Sequence, residues 1–539
     1  MMAIWHAKRS RALTGNALIL WVVAWLLGVG NLSFFANVVK TYGATPSLLP
    51  AFVSLALAFA AVSILCIAPF AFARAVKPAL IFLLLLSSLT AYFMDSYGIV
   101  INDEMLQNVA QTQTAEVRDL LNLRLLAYVV GLGVLPAWWV ARVRLAWRGW
   151  RSELWSRLKL VFCALLALVA AVAPFGSFYA SFAREHKALR SYANPAYPLY
   201  SAFKYVRQRY AAPGAQAIEP IGLDARVPHA DAHRELVILV VGETARADHF
   251  SLNGYERETN PLLKQEPGVI SFGDFHACGT STAVSLPCMF ALNGSQGSAA
   301  GQENLLDVLQ RAGVHVLWLD NNSDSKGVAL RVPYQDFKSP AVNPICDVEC
   351  RDEGMLVPLQ AWIDSHPSGD LLIVLHQMGN HGPAYYKRYP AAFERFKPTC
   401  QSNDLSQCTP EEIINAYDNA LLYTDYFLAQ TIALLKRNSE RFETALFYVS
   451  DHGESLGENG IWLHGMPRAL APRAQLHVPA LMWFGASHHE VDLAALRRKR
   501  NQPYSHDHLF HTVLRFFEIE SAIYRPDLDI LNGARHGDG

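Results

Sequence analysis

Four short apolar runs in the distal half of the chain are each followed by residues able to do chemistry. LVILVV (Leu236–Val241) leads into GETARADH, with Glu243. VHVLWL (Val314–Leu319) leads into DNNSDSKG, with Asn322, Ser323 and Lys326. LLIVLH (Leu371–His376) leads into QMGNHGP, with His381, and ALFYVS (Ala445–Ser450) into DHGESLGENGIWLHG, with Asp451, His452 and His464. Glu, Asp and His are good zinc ligands, and a catalytic zinc keeps one position open for a reacting oxygen. Glu243, Asp451 and His452 supply three ligands. The stretch CGTSTAVSLPC (Cys278–Cys288) offers four hydroxyls for the open position: Thr280, Ser281, Thr282 and Ser285. A free hydroxyl is a weak nucleophile at neutral pH, and a metal is one route to activating it. Lys326, His381 and His464 would then face the charge that develops on a transferred group. A single His at a strand end is usually structural, so the case rests on four ends converging. The set suits phosphoryl transfer better than peptide hydrolysis.

The positioning elements follow from the pattern. Apolar runs rich in β-branched residues, with a fifth at Val478–Phe484, alternate with helical patterns such as Glu303–Ala312 and Glu411–Lys436. That alternation predicts an α/β fold with a largely parallel sheet sandwiched by helices. Such sheets bind ligands at the carboxyl ends of their strands. No internal repeat or low-complexity tract is visible.

The proximal part is different. The chain has 539 residues and a formal net charge of −1, so its charge gives no reason to expect a nucleic-acid partner. Five apolar segments stand before about residue 182: Ala17–Val39, Leu48–Ala73, Ala79–Tyr97, Leu123–Val140 and Leu158–Phe182. A span needs about 20 apolar residues, and these predict a five-helix transmembrane domain. A cleaved signal peptide is the alternative for the first, but no small-residue cleavage pattern follows it. Lys8, Arg9 and Arg11 precede the first segment, and Arg74, Lys77 and a cluster from Arg142 to Lys159 mark the second and fourth connections. The first and third connections are poor in Lys and Arg, which predicts a cytoplasmic N-terminus and an exported distal part.

Cysteine usage agrees. Cys66 and Cys163 lie in predicted spans, while Cys278/Cys288, Cys346/Cys350 and Cys400/Cys408 form close pairs in the exported part. These read as three disulfides, with a zinc-thiolate site as the competing reading. Phe178–Tyr210 mixes aromatics with Arg and Lys and reads either as interface helices broken by Pro195 and Pro198 or as a plain surface helix. Ala211–Ala232 reads as a linker.

The motifs VVGETARADH, CGTSTAVSLPCMF, DNNSDSKG, HQMGNHGPAYYKRYP, SDHGESLGENGIWLHG and SHDHLFHTVL resemble those of the lipid A phosphoethanolamine transferases, which include the mobile colistin resistance enzymes. The resemblance extends over essentially the whole chain and implies an alkaline-phosphatase/sulfatase-like catalytic domain. It implies that Thr282 is the nucleophile, with Glu243, Asp451 and His452 binding one catalytic zinc together with it. Lys326, His381, His464 and Ser323 are then expected around the phosphoethanolamine group, with His381 and His464 as ligands of a possible second metal. The loop NDEMLQNVAQTQTAE resembles the family's substrate loop, and a spacing of four places Asn108, Thr112 and Glu116 on one helix face.

The expected organisation is a membrane domain over 1–182 with a substrate loop at 98–122, interface helices and linker over 183–232, and a periplasmic zinc-dependent catalytic domain over 233–539. The resemblance implies a monomer in a Gram-negative inner membrane, with phosphatidylethanolamine as donor and lipid A as acceptor. Lipopolysaccharide core sugars or another envelope glycan are the alternative acceptors, and a non-catalytic headgroup-binding membrane protein is the alternative from another class. A sulfatase activity is disfavoured, because LPCMFAL around Cys288 lacks the CxPxR pattern. Lipoteichoic-acid phosphoglycerol transferases share five spans and a Thr nucleophile, but the paired cysteines and HxMGxHGP favour the phosphoethanolamine group.

Overall fold

A computed structural model describes residues 12–70, 73–112, 114–147, 149–211, 218–227, 233–297 and 301–534. The expected basic residues Lys8, Arg9, Arg11 and Arg148, and much of the linker, lie outside the described residues. The chain divides into two compact units, one of Met1–Asp103 with Leu121–Gln208, the other of Glu104–Leu120 with Arg209–Gly539. The stretch between the third and fourth spans thus folds with the distal unit, and the segment after the fifth span with the proximal one.

Among the described residues of the proximal unit, four helices are long and apolar enough to cross a membrane: Pro46–Ile67, Val76–Tyr97, Leu123–Arg142 and Trp150–Arg184. The first expected span is instead a bent pair, Gly15–Gly28 and Leu32–Tyr42, meeting at 51°. Its break has a clear chemistry. A Cβ at Gly30 would stand 2.9 Å from the Leu26 carbonyl oxygen, so the chain comes close to itself there. Two buried amides brace the break. Asn31 Nδ2 donates to Leu26 O at 2.9 Å and to Asn194 O at 2.7 Å. Asn194 Nδ2 donates to Gly30 O at 2.8 Å and to Ser87 O at 2.9 Å. Broken backbone at membrane depth is tolerated where protein groups satisfy it in this way. Pro198 also departs from expectation. It lies in the first turn of the helix Ala196–Ala211, where an N–H has no intrahelical partner to lose, so it does not break the helix.

The distal unit is built on a seven-stranded sheet: β1 (Glu235–Gly242), β2 (Ile270–Phe272), β3 (His315–Asp320), β4 (Tyr334–Asp336), β5 (Leu371–His376), β6 (Glu443–Ser450) and β7 (Ala480–Phe484). The spatial order is β2-β7-β6-β1-β5-β3-β4. The pairings from β6 through β1, β5 and β3 to β4 are all parallel, and β7 runs antiparallel to both neighbours. Every residue of β1 is buried, as expected for a central parallel strand. Side chains alternate between the faces. Val237, Leu239 and Val241 join one core with Ala445, Phe447 and Val449 and with helices Thr282–Phe290, Leu305–Arg311 and Leu509–Phe516. The 29-residue helix Pro410–Asn438 packs against β6, its start fixed by a capping box between Thr409 and Glu412. The strands β6, β1, β5 and β3 are consecutive neighbours, so their carboxyl ends, and the polar segments that follow them, come together.

Candidate active site

The Cys278–Cys288 disulfide closes the loop that presents Thr282. Loop-closure entropy gives about 3 kcal/mol for a bridge of this span. Thr282 opens the helix Thr282–Phe290, with Ser281 at its N-cap. Its hydroxyl donates to Glu243 Oε2 at 3.0 Å and stands 3.4 Å from His452 Nε2. The other three hydroxyls of the stretch are placed differently. Thr280 Oγ1 donates to Met466 O at 2.6 Å, Ser285 Oγ accepts from Gly279 N at 3.1 Å, and Ser281 stands at the N-cap position, where its carbonyl, not its hydroxyl, accepts from Ser285 N at 2.9 Å. They shape the loop, and Thr282 alone among the four is aimed at the carboxylates.

Ligand atoms of Glu243, Asp451 and His452 all lie within 4.8 Å of one another, and all three residues are buried. His452 Nε2 is 3.2 Å from Glu243 Oε1 and 3.5 Å from Asp451 Oδ2. His452 Nδ1 faces Gly453 O at 2.9 Å, which places the proton on Nδ1 and leaves Nε2 to the carboxylates. Burial and the neighbouring Glu243 push Asp451 up to about 6. Burial opposes charging of His452, but Asp451 and Glu243 outweigh it and push it up to about 10. Burial likewise opposes ionisation of Glu243, and the adjacent His452 holds it well below the usual range. Two buried carboxylates therefore call for a cation. Apart from the approach of His452 Nε2, Glu243 Oε1 and Asp451 Oδ2 are buried with no hydrogen-bond partner among the described residues. The donor set and these two oxygens fit a zinc ion, which would displace the proton that His452 otherwise takes.

Beside this centre stand two of the other expected residues, His464 and His381. The His464 ring lies 4.4 Å from that of His452 and 5.4 Å from that of His381. Burial drives His381 down to about 3, and its Nδ1 is buried with no partner among the described residues. No third ligand atom among the described residues joins His381 and His464 into a metal group. Lys326 Nζ donates to Ser323 O at 2.5 Å, which orders the DNNSDSKG turn. The backbone here is strained. Thr244, Lys326 and Leu463 all have positive φ, at 52°, 50° and 64°, and Thr244 is β-branched. Each adjoins or belongs to a site segment, where such strain is characteristically kept.

The single helix face expected for Asn108, Thr112 and Glu116 is not formed. The helix Asp103–Gln111 ends before Thr112, and a separate helix Thr114–Leu120 follows. Thr112 Oγ1 donates back to Asn108 O at 2.7 Å, competing with the next helical turn. Asn108 and Thr112 are thus adjacent through the backbone, and the side chain of Glu116 lies outside the described residues.

Several residues that shape the site lack a strong local signal. Asn322 Nδ2 donates to Glu243 Oε2 at 2.8 Å. Glu454 accepts from Tyr385 Oη at 2.6 Å and faces His464 Nδ1 at 2.8 Å, which fixes the orientation of the His464 ring. Asp352 accepts from Met378 N at 2.9 Å and Gly379 N at 3.2 Å, holding the turn that leads to His381. His506 joins the nucleophile loop to β6: its Nδ1 accepts from Cys278 N at 3.1 Å, and its Nε2 donates to Ser450 O at 2.9 Å. The motif SHDHLFHTVL was visible in sequence, but this bridging role was not.

Burial pushes His506 down to about 4, so it is neutral at pH 7. The unfolded chain takes up this proton near pH 6.5, so the stability His506 contributes is present above that value and is lost as pH falls toward 4. Replacing it by Ala leaves two buried backbone groups unpaired, at about 1–3 kcal/mol each. Thermal midpoints of His506→Ala should lie below wild type at pH 7, with the gap closing on acidification. A gap that does not close would contradict the neutral, bridging assignment.

Comparison with known proteins follows the same lines. Residues 235–519 match the sulfatase family model, and residues 59–210 match the model for phosphoethanolamine transferase EptA/EptB. The phosphatidylethanolamine transferase Mcr-1 of Escherichia coli is 42% identical over 537 residues, covering 96% of this chain and 97% of its own. The phosphoethanolamine transferase EptA of Escherichia coli K12 is 40% identical, covering 85% and 86%. The integral membrane lipooligosaccharide phosphoethanolamine transferase A of Neisseria meningitidis superposes with a TM-score of 0.94 at 35% identity, covering 98% of this chain and all of that one. With relatives matched over nearly their full length and a fold shared from end to end, the chain belongs to the phosphoethanolamine transferase family.

Proposed function

We propose that this membrane enzyme transfers phosphoethanolamine from phosphatidylethanolamine to a lipid A phosphate. The observation that carries the reading is the placement of Thr282: a hydroxyl at a helix N-terminus, 3.0 Å from Glu243 and 3.4 Å from His452. A zinc ion held by Glu243, Asp451 and His452 would supply Lewis acidity, lowering the cost of ionising the hydroxyl and polarising the phosphoryl group. Thr282 Oγ attacks the phosphorus of the donor lipid. The Thr282 O–P bond forms, the bond from phosphorus to the glycerol oxygen breaks, and diacylglycerol leaves with a proton. An acceptor phosphate oxygen then attacks the phosphorus of the phosphoethanolamine-threonine, the bond from phosphorus to Thr282 Oγ breaks, and Thr282 Oγ takes up a proton to restore the hydroxyl.

The amides at the start of the helix Thr282–Phe290 favour the anionic group in both steps. Lys326, His381 and His464 surround it, and Ser323, whose carbonyl fixes Lys326, belongs to the same wall. The hydrogen bond to Glu454 engages His464 Nδ1 and leaves its Nε2 for the transferred group. Asn108 and Thr112 contact the ethanolamine end of the donor. We assign one catalytic zinc, and assign His381 and His464 to the substrate before any second ion. One chain carries the full ligand set, which supports action as a monomer.

The catalytic domain comprises 233–539 and lies in the periplasm, the N-terminus being cytoplasmic. Three disulfides, Cys278–Cys288, Cys346–Cys350 and Cys400–Cys408, suit that oxidising compartment. The added amine offsets phosphate charge, which weakens attraction of cationic peptides such as polymyxins.

The test is to incubate the purified full-length protein with fluorescent phosphatidylethanolamine and then with lipid A. Diacylglycerol release and lipid A heavier by one phosphoethanolamine are expected. Diacylglycerol release with unchanged lipid A would point to a core sugar or another glycan, and the absence of any release would overturn the transferase reading.

A further inference from the structure

The segment Glu104–Leu120 folds with the distal unit although the chain places it between two spans. It meets the site at four places, each with a local reason. Pro287 has no N–H to give to the carbonyl of residue 283, and Ala283 O, next to the nucleophile, accepts instead from Gln107 Nε2 at 3.4 Å. Gln111 O, at the end of its helix, lacks an intrahelical donor and accepts from Lys326 Nζ at 3.3 Å. Gly465, beside His464, has φ +84°, and a Cβ there would stand 2.6 Å from Met105 Cε.

The fourth contact is ionic. Asp119 accepts from Lys387 Nζ at 2.5 Å and from Arg388 Nη2 at 2.9 Å. Arg388 also binds Glu349 at 2.5 Å, and its Nε donates to His381 O at 2.6 Å. Asp119 and Arg388 are 6% and 5% exposed, so the central pair of this quartet of two anions and two cations is largely desolvated, while Lys387 and Glu349 stay partly exposed. Arg388 is shared: one edge holds the loop and the other holds the backbone of a site histidine.

Building on the transfer reaction above, we propose that Asp119 is a positioning residue for it: Asp119 latches the loop Glu104–Leu120 to the catalytic unit and, through Arg388, fixes His381 against the transferring group. Neither Asp119 nor Arg388 touches the substrate. Their effect passes through the His381 carbonyl and through the placement of Gln107 and Gln111 beside Thr282 and Lys326. A displacement of about 1 Å in such a wall lowers rates by on the order of 10²-fold.

The experiment uses the full-length protein in detergent and measures kcat and KM for diacylglycerol release, zinc content and amide hydrogen exchange. Asp119→Asn should lower kcat on the order of 10²-fold, leave zinc content unchanged and speed exchange across 104–120, with Asp119→Glu restoring much of the rate. In an Arg388→Gln background, Asp119→Asn should add little, because both act on one carbonyl. A wild-type kcat in Asp119→Asn, or losses that multiply across the double variant, would overturn the latch. Should Asp119→Asn not fold, Lys387→Met removes one arm only, at a side chain still 29% exposed. It should lower kcat in the same direction, and an unchanged kcat would overturn the proposal. If wild type itself releases no diacylglycerol, the transferase reading fails, and the exchange comparison still tests the latch.

Discussion

Thr282→Ala is expected to abolish transfer while leaving the protein folded. Loss of a nucleophile that acts together with its activating groups costs about 10⁴–10⁶ in kcat. The structural cost is small by comparison. Removing the hydroxyl deletes one hydrogen bond, worth about 1–2 kcal/mol, and Glu243 Oε2 keeps its bond from Asn322. The Cys278–Cys288 bridge and the Ser281 cap do not involve the hydroxyl, so loop and helix remain in place. The two quantities to measure are diacylglycerol release and the mass of the trapped phosphoethanolamine adduct. Both should vanish in Thr282→Ala, and Thr282→Ser should retain part of each. An alanine variant that still forms an adduct would move the nucleophile to another hydroxyl.

Asp451→Asn should separate metal binding from stability by sign. Asp451 is pushed up to about 6 by burial and by Glu243, so at pH 7 its charge opposes folding of the metal-free protein. Its stabilising form is the neutral one, and that contribution is lost as pH rises through about 6. Asn is neutral and can keep the bond that Asp451 Oδ1 accepts from His452 N at 2.7 Å. The metal-free variant should therefore melt higher than metal-free wild type. Zinc should reverse the order, because wild type gains binding energy that the variant has lost. Loss of a direct ligand should exceed the roughly 10–100-fold loss of affinity typical of an outer partner. Calorimetry of both proteins with chelator and with added zinc checks both signs. A variant that melts higher in both conditions would remove Asp451 from the metal site.

Much of this site was legible because its chemistry sits immediately after strands. Glu243, Lys326, His381, Asp451 and His452 each follow an apolar run, and parallel pairing of β6, β1, β5 and β3 brings those ends together. The reading of Thr282 is of another kind. Four hydroxyls were open on residue physics alone, and the family resemblance selected one. Geometry now separates them, since only Thr282 reaches Glu243. The supporting residues were not legible for a physical reason. Asn322 and His506 act on partners 79 and 228 residues away, which no local periodicity encodes. The bend in the first span is similar: Gly28, Gly30 and Asn31 signal a weak point, but the group that stabilises it, Asn194, lies 163 residues from Asn31. The one-face reading of Asn108, Thr112 and Glu116 failed because a spacing of four says nothing about whether the helix persists, and Thr112 ends it.

The contact between Asp119 and Lys387 also carries a consequence in time. The two residues are 268 positions apart, and at about 5–20 residues per second synthesis of the second trails the first by roughly 13–54 s. During that interval Asp119 has no partner and stays hydrated, because an unpaired buried carboxylate is too costly. The membrane helices on either side can therefore settle while the loop between them waits. Docking of the loop becomes a late event, possible only once the segment around Arg388 has been made and folded. Nascent chains released before that point would carry spans and loop but no closed wall, so assembly of the site is ordered by the ribosome as well as by packing.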